Sequence, residues 1–574
     1  MEHEKTMPKQ TPKPMPKPLR SNFEPGTTRW AVRRAQWLAM GYGEDDLLKP
    51  KIAIVNSSSK LSVCYAHLDD LVKVVEAAIR GAGGLPFEIR TVAPSDFITS
   101  AGRQARYLMP SRDLLVNDVE VQVEGAELDG MVLLASCDKT TPGQLMAAAR
   151  LNIPAIVVPC GYQLGGHCAG QHVDIEEVYK SVGSLKAGTI SLADLKAMTC
   201  TAITGPGVCA GLATANTMHV LAEALGMALP GSAPIRAGSP ALDASATRAG
   251  AAIVDLIARD LRPRDILTAS AFRNALRVAV ATGCSVNCVR HLTAVAAEGE
   301  LDIDIIAELE ALNGTPQITT VRPNGPHRIE DLDHAGGCRG VMRELRDVLD
   351  LSAVTVSGRT LGEILDATPE PDRAVIRPLA DPFRAEPGLT ILRGTLAPDG
   401  AVVKVSAVPA EVRTFVGKAR VFEDENEAIK ALETHSIRAG DVVVLRGLGP
   451  RGGPGTVFAA SFMAALIGAG LGAGVAVVTD GELSGLNSGI TIGQVMPEAA
   501  EGGPLGLVAE GDTIAIDITT RRLDLEVSAE VLAERRARWR APDHSGLRGW
   551  LGLYAAMVQP LSKGAVLRPP RRDV

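Results

Sequence analysis

Three cysteines stand where a thiolate could do chemistry. Cys64 lies in NSSSKLSVCYAHL, Cys137 closes an apolar run in LLASCDKTTPG, and Cys209 sits among glycines in GPGVCAGLATANTM. They are 73 and 72 residues apart, so no local metal finger is formed. Thiolates converging from strand and helix ends would suit an iron–sulfur cluster. Spacing alone favours three buried structural cysteines, since free cysteine is among the most buried residue types. Cys284 and Cys288 are four apart, on one face if helical, and Cys160, Cys168, Cys200 and Cys338 show no paired geometry; all six read as core packing. Asp138 and Lys139 follow Cys137 directly, and Asp96 stands in VAPSDFITSAG; the ordinary use of such groups after a strand is a turn or a salt bridge. GLGPRGGPG (447–455) lacks the Gly-Lys-Ser/Thr ending of a phosphate loop and reads as a turn that lets backbone approach a ligand. Ser484 lies in the glycine-rich TDGELSGLNSG, with no adjacent histidine to activate it.

These groups need elements to hold them. TTRWAVRRAQWLAM (27–40) has helical periodicity, and KIAIVN (51–56) is a short buried strand followed by a loop and a helix from about His67 to Gly81. GMVLLAS, CDKTTPG and QLMAAARL repeat strand, loop and helix, and PAIVVP follows as another strand. This alternation predicts a parallel α/β sheet with Asn56, Ser136 and Cys137 at the carboxyl ends of strands, where ligands gather in such folds. PEPDRAVIRPLADPFRAEP (369–387) reads as a linker. Beyond it LTILRGTL, AVVKVSAV, GDVVVLRG, VAVVTDGE, DTIAIDI and LDLEVS have the rhythm of a β-rich domain. The expected organisation is a Lys/Pro-rich extended tail over 1–20, an α/β domain over 21–378, and a β-rich, barrel-like domain over 379–574.

Composition narrows the function classes. Lys+Arg 59 against Asp+Glu 66 leaves a net charge of −7, so no basic field attracts nucleic acid or an anionic membrane. Aromatic residues are 3%, too few for the stacking platforms of single-strand binders. No apolar stretch reaches the 18 residues of a membrane span. The opening MEHEKTMPKQTPKPMPKPLR lacks the apolar core of a secretory signal, which points to a cytoplasmic, reducing setting for the nine cysteines.

Several strings, in order, resemble the dihydroxy-acid and sugar-acid/phosphogluconate dehydratase family from about Leu19 to about Pro542: LRSNFEPGTTRWAVRRA, YLMPSRDLLVNDVE, CDKTTPG, GVCAGLATANTM, EALGMALPGS, IEDLDHAGG, GAVVKVSAV, GPRGGPG and PEAAEGGPLGLVAEGDTIAIDI. The resemblance implies an iron–sulfur cluster on Cys64, Cys137 and Cys209, of the two-iron rather than the four-iron type. It implies magnesium on Asp96, Asp138 and a carbamylated Lys139, whose anionic oxygen suits a hard cation as an ammonium cannot. Ser484 matches the family's base, and a small hydroxy acid is the implied substrate of a homodimer or homotetramer.

The departures cluster at the same place. Where the family has Met-Pro-Glu-Met after the glycine string, this chain has GTVFAAS, with Phe458 at the Glu position, so a magnesium shell is one carboxylate short. The family's Asp-Gly-Arg-Phe-Ser-Gly-Gly-Thr-Arg-Gly is here DGELSGLNSG: Glu482 replaces an arginine, and Asn487 and Ser488 replace Thr-Arg. Glu482 either supplies the missing metal oxygen or enters a structural ion pair. Ser285 and Asn287 survive in a string interrupted by Cys284, Val286 and Cys288. The expected activity is removal of water from a 2,3-dihydroxy or related hydroxy acid to give a 2-oxo acid, at a remodelled substrate end. The alternatives are another elimination or isomerisation on the same fold, or a non-catalytic homologue.

Overall fold

A computed structural model describes residues 18–99, 105–455, 459–483 and 489–569. The expected tail lies mostly outside these; at its end Arg20 donates from Nε to the Leu128 carbonyl at 2.6 Å.

The first half is built on a four-stranded, all-parallel sheet in the order β2-β1-β3-β4, formed by β1 (Lys51–Asn56), β2 (Leu85–Arg90), β3 (Gly130–Ala135) and β4 (Ala155–Pro159). β1 and β3 are buried at every position, which is why both read as unbroken apolar runs and not as alternation. Helices cover both faces. Leu68–Gly81 follows β1 and packs against Pro240–Arg259, crossing where Gly250 leaves room for the Ala78 methyl and the Val75 carbonyl. Thr140–Leu151 follows β3 and is buried from Thr140 to Ala149. A small hairpin, β5 (Gly166–Cys168) with β6 (Gln171–Val173), leads into the helix Ile175–Lys186.

The second half is an eight-stranded sheet ordered β14-β13-β9-β10-β11-β12-β8-β7. Its centre is parallel: β9 (Thr414–Phe422), β10 (Asp441–Leu445), β11 (Ala476–Thr479) and β12 (Thr491–Met496). Antiparallel β13 (Thr513–Asp517) and β14 (Arg522–Leu525) flank one side, and β8 (Gly400–Val403) and β7 (Thr390–Leu392) the other. A bridge between Arg393 and Arg522 joins the two edge strands, so the sheet nearly closes into a barrel and leaves little unpaired edge. The expected α/β fold with a parallel first sheet and a barrel-like second one is therefore observed. Strands β9 and β12 fall outside the six segments read as strands from sequence.

Candidate active site

The turn after β3 is built around Thr140. Its hydroxyl donates to the Cys137 carbonyl at 2.9 Å and accepts from the Ser136 amide at 3.0 Å, folding Cys137-Asp138-Lys139 into a tight approach to the helix. Cys64 is brought alongside by Ser136, whose hydroxyl donates to the Cys64 carbonyl at 2.6 Å. Ser62 caps the short turn that carries Cys64, accepting from the Cys64 amide at 3.3 Å. Cys209 arrives through Gly207, whose φ of +112° only glycine adopts readily and whose amide donates to the Val63 carbonyl at 3.4 Å. Asn216 then fixes the Cys209 carbonyl at 2.7 Å.

The three cysteines are thus tied to one another through their backbones and are nearly inaccessible, at 8%, 2% and 8% exposure. Hydrogen bonding with Cys64 and burial push the Cys137 thiol well up, and burial beside Cys137 and Asp96 does the same to Cys209. Buried thiols of this kind do not ionise alone. A cation such as iron in place of their protons would make them thiolates, and in its donor chemistry the trio fits a cluster. Of the remaining six cysteines, Cys160, Cys284, Cys288 and Cys338 are core residues as expected, whereas Cys168 is only partly covered and Cys200 is exposed.

Next to the thiols lies a buried charged group assembled from both halves of the chain. Asp96 sits 3.8 Å from the Cys137 sulfur. Lys139 is ion-paired with Asp138 and, at 2.7 Å, with Glu482 Oε1. Arg290, on the helix Asn287–Glu298, reaches the same Glu482 oxygen at 2.6 Å. Glu482 therefore enters the ion pair that the sequence left open. Its other oxygen, Oε2, and Asp138 Oδ1 are buried without a hydrogen-bond partner. Asp138, Glu482 and His291 each offer an atom within 4.8 Å of the others. Burial, then the neighbouring carboxylates, raise the Asp96 and Asp138 carboxyls. Burial opposes the Lys139 ammonium, but Asp138, Glu482 and Asp96 outweigh it and raise its pKa; Arg290 and Lys139 likewise overcome burial and lower that of Glu482.

Two buried carboxylates that each keep an unpartnered oxygen, with an ammonium bridging their other two oxygens, are the chemistry of a divalent cation site, and the residues fit magnesium. Lys139 stands in for that cation. An ammonium and a metal ion compete for the same two carboxylates, a conflict that carbamylation would relieve by removing the positive charge and adding an oxygen ligand.

Asn287 closes the group from above, donating to Thr214 Oγ1 at 3.0 Å and to the Leu483 carbonyl at 2.8 Å. Ser484, Asn487 and Ser488, which follow Leu483, and Phe458 lie outside the described residues. The glycine string does approach carboxylates, but they are the chain's own. Arg451 and Gly452 amides donate to Glu498 at 3.0–3.1 Å, and those of Gly447 and Leu448 to Asp480 at 3.1 and 2.9 Å. Burial still pushes Glu498 up to about 8. Sequence reasoning passed over Arg290 and His291. The signal was a charged pair inside the otherwise apolar helix NCVRHLTAV, where a solvated face would have carried more polar residues.

The chain matches two family descriptions end to end: "Dihydroxy-acid/6-phosphogluconate dehydratase N-terminal" over residues 49–364 and "Dihydroxy-acid/6-phosphogluconate dehydratase C-terminal" over 374–565. It belongs to that family. It is 44% identical over 552 residues to the dihydroxy-acid dehydratase of Syntrophobacter fumaroxidans, covering 96% of this chain and 99% of the relative. The dihydroxy-acid dehydratases of Moorella thermoacetica and Pyrococcus furiosus are each 43% identical, over 94% of this chain and 98% of theirs. Membership makes the chain an enzyme of the hydro-lyase class.

Proposed function

We propose that this enzyme removes water from a 2,3-dihydroxy acid and yields a 2-oxo acid, with an iron–sulfur cluster on Cys64, Cys137 and Cys209. Magnesium would be held by Asp96, Asp138, Glu482 and a carbamylated Lys139. One observation carries the reading: three buried thiols stand beside a buried carboxylate group that retains two unpartnered oxygens. When bound, the cluster iron and magnesium supply Lewis acidity toward the departing 3-hydroxyl and toward the substrate carboxylate and 2-hydroxyl.

The chain's own residues do the rest. Asp138 and Glu482 orient the substrate end, and Arg290 neutralises Glu482. Ser484, two residues beyond Glu482, is the base: as an alkoxide it takes the C2 proton, the C3–O bond breaks, the departing hydroxide takes that proton from the serine and leaves as water, and the enol tautomerises to the 2-oxo acid. Exchange of the family's arginine for Glu482, with Arg290 supplying a cation from the helix Asn287–Glu298, favours a substrate that differs in the part facing this pair. A two-iron cluster, a homodimer or homotetramer, and a reducing cytoplasmic setting complete the proposal. All nine cysteines are free, and the helix Thr28–Ala39 buries none of its residues, a face suited to a second copy.

The test is anaerobic protein assayed against a panel of branched-chain and sugar-derived 2,3-dihydroxy acids, with 2-oxo acid formation as the readout. Turnover of at least one, with iron and sulfide bound, is expected. Iron-loaded protein inactive on the whole panel would overturn the proposal.

A further inference from the structure

His291, grouped with Asp138 and Glu482, takes no part in the proposed reaction steps. It is fully buried on the helix Asn287–Glu298, with Nε2 lying 3.9 Å from Glu482 Oε1 and without a hydrogen-bond partner. Its other ring nitrogen is engaged: Arg112 Nη1 stands 3.4 Å from Nδ1.

A guanidinium has only N–H donors and no acceptor. The contact with Arg112 therefore requires the lone pair of His291 on Nδ1, which leaves the ring's single proton on Nε2. Arg112 cannot turn away to allow the other tautomer. It is itself fully buried, and its Nη2 is fixed by both Asp113 oxygens at 3.1 and 3.2 Å and by the Gly564 and Ala565 carbonyls at 3.0 and 2.9 Å.

We infer that His291 is a substrate-binding residue: a neutral imidazole, locked as the Nε2–H tautomer by Arg112, that donates a hydrogen bond to the hydroxy-acid oxygen entering between Asp138 and Glu482. This rests on the proposed hydroxy-acid site. It also excludes His291 as a third metal ligand beside the two carboxylates, because ligation through Nε2 would move the proton to Nδ1, against the guanidinium. The arrangement is complementary: a buried N–H without an acceptor lies beside two carboxylates that each keep an oxygen without a donor, and a ligand oxygen among them, with the metal, satisfies all of them. Arg112 acts through His291 and is a positioning residue.

The test compares His291→Leu, which removes the donor, with His291→Gln, whose amide N–H2 reaches the Nε2 position. Readouts are kcat and KM on the dihydroxy acid, Mn2+ affinity of the full chain by EPR titration, and 15N NMR of histidine-labelled protein. Expected are a loss of about 10²–10³-fold in kcat/KM for His291→Leu, of the size seen when one aimed donor is removed, and recovery of at least tenfold of it in His291→Gln. Mn2+ affinity stays within about twofold of wild type in both, and the wild-type spectrum contains a neutral Nε2–H ring absent from either variant and altered by Arg112→Met. Equal activity in all three proteins, Mn2+ binding lost in both variants, or an Nδ1–H ring in the wild type would overturn the inference. If the wild type itself turns over no hydroxy acid, the proposed function fails, while the NMR and Mn2+ readouts still decide the tautomer and the ligand question.

Discussion

Glu482→Gln is the most informative single change. The carboxylate lies at 1% exposure and holds Lys139 and Arg290 on one oxygen, at 2.7 and 2.6 Å. The ion pairs at this carboxylate set two buried cations, Lys139 and Arg290, against two carboxylates, Glu482 and Asp138, the latter being the second partner of Lys139. The amide removes one negative charge and leaves one buried cation uncompensated, a change that costs about 3–5 kcal/mol. At about 2.1 cal/mol/K per residue, unfolding this 574-residue chain carries roughly 1.2 kcal/mol/K of entropy, so the melting midpoint should fall by roughly 3 °C. Arg290→Met should produce a similar fall. The double variant restores neutrality, and its loss should be smaller than the sum of the two by about 2 kcal/mol. Differential scanning calorimetry of the four proteins closes the cycle. A single variant melting within about 0.5 °C of wild type, or a double variant showing only additive loss, would refute the coupling drawn here between the two halves.

Serine at Cys64, Cys137 or Cys209 should abolish bound iron and activity, whereas Cys200→Ser, at an exposed position, should keep both; iron content and the visible spectrum decide. Removing carbon dioxide and bicarbonate should weaken Mn2+ binding, and bicarbonate should restore it in wild type but not in Lys139→Ala. Phe458→Glu should tighten Mn2+ binding about tenfold or more in the same titration. Glu223, buried against the Gly231, Ser232 and Ala233 amides, is raised to about 7. Its folded-state pKa exceeds the unfolded value, so its contribution is present at low pH and is lost as pH climbs from about 4.5 through about 7. Glu223→Gln, a mimic of the protonated acid, should therefore flatten the fall in melting temperature across that window, by an amount on the order of 3 kcal/mol. A wild-type and variant pair with parallel curves would contradict this.

The parts of the molecule legible in sequence are those where one physical signal dominates. β1, β3 and β4 are unbroken apolar runs because their sheet is covered on both faces, and the turn at Cys137 follows directly from the strand that ends before it. β12 was missed because TIGQVM, though buried throughout, carries Gly and Gln and has no period of two. β9 was missed for the opposite reason: its exposed face supplies Lys418 and Arg420 within a strand that also contains Gly417. The cluster thiols could be named from motif order, but not from spacing, since more than 70 residues separate each from the next. Arg112, Arg290 and His291 acquire meaning only when α/β packing sets two helices and the chain's end around one carboxylate. That is a tertiary fact: the polar pair in the apolar helix marks Arg290 and His291 locally but says nothing of what they face.

The order of the site along the chain also has a consequence in time. The three thiols lie within the first 209 residues, yet the carboxylate that pairs with Lys139, two residues beyond Cys137, is residue 482 and the carbonyls that fix Arg112 belong to Gly564 and Ala565. At roughly 5–20 residues per second, ribosomal synthesis of the intervening stretch of about 350 residues takes on the order of 20–70 s. Through that interval the cysteines have emerged without the second half of the site. The nascent chain offers an open dock to iron delivery and an open target to oxygen, and thiol labelling of chains stalled before residue 482 should find reactive the same three sulfurs that the finished enzyme hides.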